Sequence, residues 1–373
     1  MTTPHTNPIQ DGQPLAEKLC WVRKLINQHH AYIDRIAVAL YDTHTDLLKT
    51  FIYSSDEETP LEQYQYPLSK SQSLSEIAQT HVPRIIPDLS QLEQVQKEHI
   101  QALLKAGFRS SYTYPMVYDD HFLGFIFFNS KRPLQFDEFL VTELDMVGQM
   151  IALMVFSELS SIQTLVATIR TVLDMTHSRD PETGGHLERM SRYAREIARA
   201  LAEKYDLNDR YIEQLFQFAP LHDVGKIKVP DRVLLKKGPL NKEEQEVMRH
   251  HPEDGKYLID KLIHNHGFER FENIDMLRNI ALYHHEAVDG SGYPCGLKGT
   301  EIPLEARIVA VADVFDALTS SRPYKQAWTN ERALALLEEF SGTKFDRDCV
   351  DAFKSHMPEI ELIQATFSEN KYG

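Results

Sequence analysis

Cysteine is scarce in this chain: Cys20, Cys295 and Cys349 are the only three among 373 residues. So sparse and odd a set argues against a disulfide framework and fits a reducing compartment. Positive charge is also in deficit, with 40 Lys and Arg against 55 Asp and Glu and a net charge of −15. A general nucleic-acid binder needs a basic face, so this balance argues against that class. No run of about 18 apolar residues occurs, which argues against a membrane span. The opening Met1-Thr-Thr-Pro-His-Thr6 has no basic stretch followed by an apolar core and does not read as a signal peptide. The expectation is a soluble, cytoplasmic protein, long enough for two domains that each bury a core.

What the chain does have is histidine next to carboxylate. His222-Asp223 is followed by Lys226, and Glu182, His186, His251, His284-His285 and Asp313 surround it in sequence. Together these are five imidazoles and three carboxylates, enough nitrogen and oxygen ligands for at least two transition-metal ions. Two ions a few Å apart clamp the attacking and leaving oxygens of a phosphoryl displacement, so the set points to a metal-dependent phosphodiesterase. Glu182 and His186 share a face if their segment is helical. His284 and His285 point about 100° apart on a helix, so they serve different ions, or share one only if the helix ends there.

Periodicity divides the chain. Residues 1–14 read as a flexible lead. Leu15–His29 carries apolar residues at helical spacing; Arg35–Tyr41 and Leu47–Tyr53 read as a strand pair. Ser75–Gln79 reads as a short helix, Arg84–Pro87 as a strand, Ser110–Tyr118 and Phe122–Phe128 as a second hairpin, and Phe136–Leu159 as a helix. From Val155 a stripe of Leu159, Ile162, Val166, Ile169, Leu173 and Thr176 alternates by four and three, the spacing of a two-stranded coiled coil, with an amphipathic helix packed on its own domain as the alternative. Beyond residue 176 the pattern is helical: Gly184–Tyr205, Asp209–Phe218, Asn241–Ile263, Ile274–His285, Leu304–Ser320 and Glu331–Glu339. Asn241 is placed to cap its helix, with Glu244 three residues later. No parallel β-run is visible, so an all-α bundle is expected there.

Two resemblances follow from quoted residues. Pro115-Met-Val-Tyr-Asp-Asp-His-Phe-Leu-Gly124-Phe-Ile-Phe-Phe-Asn129 with Phe136-Asp-Glu-Phe-Leu140, in its order of elements, resembles a GAF domain, with a PAS-type sensor as the competitor. Asp180-Pro-Glu-Thr-Gly-Gly-His186, His222-Asp-Val-Gly-Lys226, His251-Pro252, Glu286-Ala-Val-Asp-Gly-Ser-Gly-Tyr-Pro294 and the block Ala310–Lys325 resemble the HD-GYP domain in order and spacing, over about residues 165–360. The sequence departs from that family at Ala287-Val288, where a basic or polar residue and an aromatic are usual. The expected organisation is therefore an α+β GAF-like sensor domain (15–156), in which an antiparallel sheet carries flanking helices. A connecting helix (157–176) and an all-α HD-GYP bundle (177–373) follow.

The second resemblance implies hydrolysis of cyclic di-GMP to the linear dinucleotide, with a further cut to the mononucleotide. It implies one metal on His186, His222, Asp223 and Asp313. It implies a second on His251, His284 and His285, bridged by Asp223, and a third through Glu182. Lys226, Arg322 and Lys325 would hold substrate phosphates, with Asp223 and Lys226 closest to the chemistry and Tyr293 stacking on a guanine. Iron(II) or manganese(II) suits such a His-rich set better than magnesium does, with zinc as an alternative. GGDEF-type synthases are the partners this resemblance implies, while the heptad-like stripe points to a homodimer through the sensor and connecting helix. Alternatives are another cyclic dinucleotide such as cyclic GMP-AMP, or a catalytically silent module that binds cyclic di-GMP; loss of ligands would mark the latter.

Overall fold

Alternation of side-chain size along the strands shapes the first half of the protein. The structure, a computed structural model, describes residues 13–30, 32–56, 61, 64–92, 94, 97–177, 184–266, 273–320 and 326–367. It divides into two compact units, Met1–Ile162 and Gln163–Gly373.

In the first unit the order is α1 (Leu15–Ile26), β1 (Arg35–Asp42), β2 (Leu47–Ser55), β3 (Gln65–Pro67), α2 (Gln72–Thr80), β4 (Arg84–Ile86), α3 (Glu98–Lys105), β5 (Ser110–Tyr118), β6 (His121–Ser130) and α4 (Glu138–His177). The six strands form one antiparallel sheet in the order β3-β2-β1-β6-β5-β4. This is the expected α+β arrangement, an antiparallel sheet with flanking helices. Ile36 and Val38 of β1, Tyr112 of β5 and Ile126 and Phe128 of β6 point to one face. There they bury against Leu15, Leu19, Val22 and Ile26 of α1 and Leu140, Leu144, Ile151 and Val155 of α4. Helix α1 stops at Ile26 rather than at His29, because the Asn27 side chain turns the chain by bonding both the N–H and the carbonyl of Ile33, at 3.1 and 2.9 Å. Sequence reading passed over β3 and α3, whose runs are too short to show a period.

Helix α4 runs unbroken across the position where a separate connecting helix was expected to begin. Its Glu138–Ser160 stretch is long and apolar enough to cross a membrane by length and composition, which the sequence reading had missed. Leu140, Leu144, Ile151 and Val155 of this stretch are core residues of the first unit.

The second unit is helical, with α5 (Gly184–Tyr205), α6 (Asp209–Phe218), α7 (Asp231–Leu234), α8 (Lys242–Arg249), α9 (His251–His266), α10 (Ile274–Tyr283), α11 (Leu304–Thr319), α12 (Asn330–Glu339), α13 (Arg347–Ser355) and α14 (Met357–Thr366). No strand occurs among its described residues, only isolated bridges. Tyr193 of α5 stands edge-on to Phe315 of α11 and Phe353 of α13, with ring centroids 5.8 Å away in each case. All three rings are fully buried, so they form the pin of the bundle.

The single helix expected over Asn241–Ile263 is two. Asn241 and Glu244 form the capping box that the sequence announces, at 2.8 Å in both directions. The helix then breaks at His250. Pro252 has no N–H to donate to the Met248 carbonyl four residues back, so the hydrogen-bond ladder is interrupted there. The carbonyl that Pro252 cannot use is taken by a side chain, which shapes the site.

Candidate metal centre

Four histidines present the same nitrogen to the same place. His251 Nδ1 bonds the Met248 carbonyl at 2.8 Å, His222 Nδ1 that of Ala219 at 3.0 Å, and His284 Nδ1 that of Ile280 at 2.9 Å. A carbonyl only accepts, so each Nδ1 carries the proton, and in the neutral ring each Nε2 then holds a lone pair. The fourth, His186, directs Nδ1 to the Asp316 carboxylate at 2.8 Å, which selects the same tautomer.

The Nε2 atoms of His222, His251 and His284 gather around Asp223. Its Oδ2 lies 3.1 Å from His222 Nε2, and its Oδ1 lies 3.1 Å from His251 Nε2 and 3.7 Å from His284 Nε2. Asp223 Oδ1 is buried and makes no hydrogen bond. The Nε2 atoms of His251 and His284 are 3.4 Å apart. Two lone pairs facing at that distance repel unless a cation stands between them. Burial, together with the neighbouring imidazoles, pushes His285 well below its ordinary value, and burial lowers His284 too, so both rings are neutral as ligands must be. Burial acts to raise the Asp223 pKa. The Lys226 ammonium, 2.7 Å from Oδ2, outweighs it and holds the carboxyl well below its usual range.

The donor atoms fall into two groups, each within 4.8 Å: Asp223, His251, His284 and His285, and His186, His222 and Asp313. Asp313 Oδ1 is 3.6 Å from His186 Nε2 and 3.9 Å from His222 Nε2. Asp223 offers one oxygen to each group. Buried neutral imidazoles with an ionised carboxylate between them fit divalent ions of the transition series. Helix α10 ends at Tyr283, and His284 and His285 lie in one group. Glu182, Arg322 and Lys325 lie outside the described residues.

Backbone closeness builds the centre. A Cβ on Gly225 would meet the His251 carbonyl oxygen at 1.8 Å, so only glycine lets the His222–Lys226 turn approach α9. The loop after His285 is equally tight: a Cβ on Gly292 would meet the Ala287 nitrogen at 2.2 Å. Buried Glu286 accepts from the N–H groups of Cys295, Gly296 and Leu297, at 2.6, 3.1 and 3.0 Å, and so ties the loop down. Ala287, at the departure from the family pattern, is buried. Tyr293 stacks on His285 with centroids 4.7 Å apart, so one of its faces is committed, and the Arg249 guanidinium stands 5.3 Å from its ring centre. The peptide between Tyr293 and Pro294 is cis.

Three supporting residues escaped the sequence reading. Asp316 follows Asp313 by three, Arg189 follows His186 by three, and Glu286 follows His285 directly. Spacing of three on a helix face was the available signal for the first two. Lys228 pairs with Asp254 at 2.7 Å and Lys236 pairs with Glu244, as ordinary surface charges.

Residues 170–349 match the HD domain family. Over 190 residues the chain is 49% identical to a cyclic di-GMP phosphodiesterase response regulator of Xanthomonas campestris, a match covering 51% of this chain and 47% of that protein. It is 33% identical over 207 residues to a 3′3′-cGAMP-specific phosphodiesterase of Vibrio cholerae, covering 56% and 38% respectively. The chain thus spans about half the length, or less, of these curated relatives. Among solved structures, a GAF domain/HD domain protein from Geobacter sulfurreducens aligns at 14% identity, over 38% of this chain and 92% of that one, with a TM-score of 0.32.

Proposed function

Because residues 170–349 match the HD domain family, we propose that this chain is a metal-dependent phosphodiesterase that hydrolyses cyclic di-GMP to the linear dinucleotide and on to GMP, under control of its first unit. The observation that carries the reading is the convergence of imidazole lone pairs on Asp223, whose two oxygens serve two donor groups. His186, His222, Asp223 and Asp313 would hold one ion, and Asp223, His251, His284 and His285 a second. Glu182 would hold a third. Iron(II) or manganese(II) suits this set of nitrogen and carboxylate donors. When bound, the ions supply positive charge at the phosphate and acidify the attacking water.

The chain's own residues do the rest. Asp223 orients both donor groups, and Lys226, held at its carboxylate, brings a fixed positive charge to the mouth of the centre. Lys226, Arg322 and Lys325 neutralise phosphate oxygens as charge builds on the leaving oxygen. Tyr293, backed by His285, would stack on a guanine. The greater identity to the cyclic di-GMP relative than to the cGAMP relative supports the first substrate over the second. A silent binding module would have lost ligands; every expected ligand stands in this sequence.

For the assembly, we infer a homodimer in the cytoplasm, joined through the first unit and α4. Phe139, Met146 and Leu153, seven residues apart on α4, are exposed apolar side chains that support it. GGDEF-type synthases are the partners that this reading implies for the loop after His285.

The test pairs metal content of protein purified without oxygen with turnover of cyclic di-GMP and cyclic GMP-AMP in the same sample. Two to three iron or manganese ions per chain with hydrolysis is the expected result, and Glu182→Ala should lose one ion. Protein that stays inactive after either metal is restored would sink the catalytic reading in favour of binding alone.

A further inference from the structure

A cavity of about 360 Å³ lies in the first unit, on the sheet face opposite α1 and α4. The strands themselves make the space. On β1 and β5 the large residues Ile36 and Tyr112 turn to the core, while Ala37, Ala39, Ser111 and Thr113 turn to the cavity and leave it open. The volume is that of a small-molecule site.

Its lining has a definite chemistry. Phe127 and Leu48 lie on the sheet side, and Leu74, Ile100 and Leu103 come from α2 and α3. Tyr64, Tyr66 and His99 form an aromatic wall: the tyrosine rings stack with centroids 6.2 Å apart, and His99 stands edge-on to Tyr66 at 5.1 Å. Tyr64 Oη lies 3.1 Å from His99 Nδ1. Into this mostly apolar space reach three cations, Arg35, Arg84 and Lys97. Among the described residues no Asp or Glu lines it, in a chain whose net charge is −15. Glu76 and Glu98 act on Arg84 and Tyr64 from outside the lining.

The cations differ in how they are satisfied. Arg35, at 2% exposure, donates to Asn129 Oδ1 at 2.9 Å, and Lys97 reaches Ser71 Oγ at 3.4 Å. Arg84 Nε is buried and makes no hydrogen bond. A buried guanidinium donor without an acceptor is costly, and an anion entering the cavity would satisfy it.

We propose that this cavity binds a small organic anion with a flat aromatic body and a carboxylate or phosphate head, the head meeting Arg84 and Lys97 and the ring lying along the tyrosine wall. The site is separate from the metal centre and its existence does not depend on the activity proposed there.

Three probes of one shape test it on the full chain by calorimetry: 2-naphthoate, 2-naphthyl phosphate and the neutral 2-naphthamide. Saturable binding of at least one anion, one per chain, is expected, with the amide about ten-fold weaker or worse. Arg84→Gln should cost the bound anion a similar factor, and Lys97→Gln, which alters a rim residue, gives the same reading if Arg84→Gln fails to fold. Preference for the carboxylate or for the phosphate identifies the head group. The proposal fails if neither anion binds, if the amide binds as tightly, or if a folded variant binds unchanged.

Discussion

Asp316 lies 130 residues after His186 in the chain, and its Oδ2 is 2.8 Å from the His186 Nδ1. Its two oxygens also take the Arg189 guanidinium, at 2.7 and 2.9 Å. Burial alone would raise this carboxyl; the bonds from His186 and Arg189 outweigh it and hold it ionised. One carboxylate therefore fixes the tautomer of a candidate ligand and neutralises a buried cation.

Asp316→Asn should then do two separable things. Loss of the charge beside Arg189 should destabilise the second unit by about 3 kcal/mol, the scale of a broken buried pair. Metal affinity at the His186 group should fall about ten-fold or more, because the ring loses its orienting carboxylate. Denaturant unfolding reads the first effect and chelator competition the second. Unchanged metal affinity would mean that Asp316 serves the fold alone.

Pro252→Ala restores a backbone N–H that competes with His251 Nδ1 for the Met248 carbonyl. The variant should stay folded, with circular dichroism showing equal or greater helix content. Metal affinity of the group containing His251 should fall about ten-fold. A folded variant with undiminished affinity would show that His251 does not need the carbonyl released by proline.

His99, in the first unit, provides a pH prediction of its own. Burial first, then the nearby Lys97 and Arg84 charges, lowers its pKa from 6.5 to about 4. Between those values the unfolded chain binds the proton and the folded chain does not. Stability is therefore present above 6.5 and is lost as pH falls toward 4. Thermal unfolding of the full chain should show His99→Gln losing less stability than the parent between pH 7 and 4.5. Parallel losses in both proteins would contradict the assignment.

Charge on the α4 stripe tests assembly. Glutamate at both Ile162 and Ile169 should convert a dimer to a monomer, read as a halved mass by light scattering at micromolar concentration. If parent and variant both scatter as monomers, the dimer reading is wrong.

Much of the site was legible because its chemistry lies in adjacent letters. His222-Asp223, His284-His285 and His251-Pro252 each announce a candidate ligand, and helical periodicity places most of them near helix ends. Asp316 and Arg189 were harder to see. A carboxylate three residues from a ligand looks like any helix-face charge until the opposing helix is known. The break at His250 was written in Pro252, yet the apolar period runs on across it, and period was read before proline.

By itself the sequence determined residue types, local periods and the places where backbone bonds must fail. Those follow from covalent structure: proline lacks a donor, glycine lacks a Cβ, strand side chains alternate. Tertiary structure decided which atoms share a space. Only folding put the oxygens of Asp223 between two sets of imidazoles and enclosed a cationic cavity over Ala37 and Ala39. Such contacts join residues far apart in the chain, and their geometry depends on how buried faces pack, which no local pattern encodes.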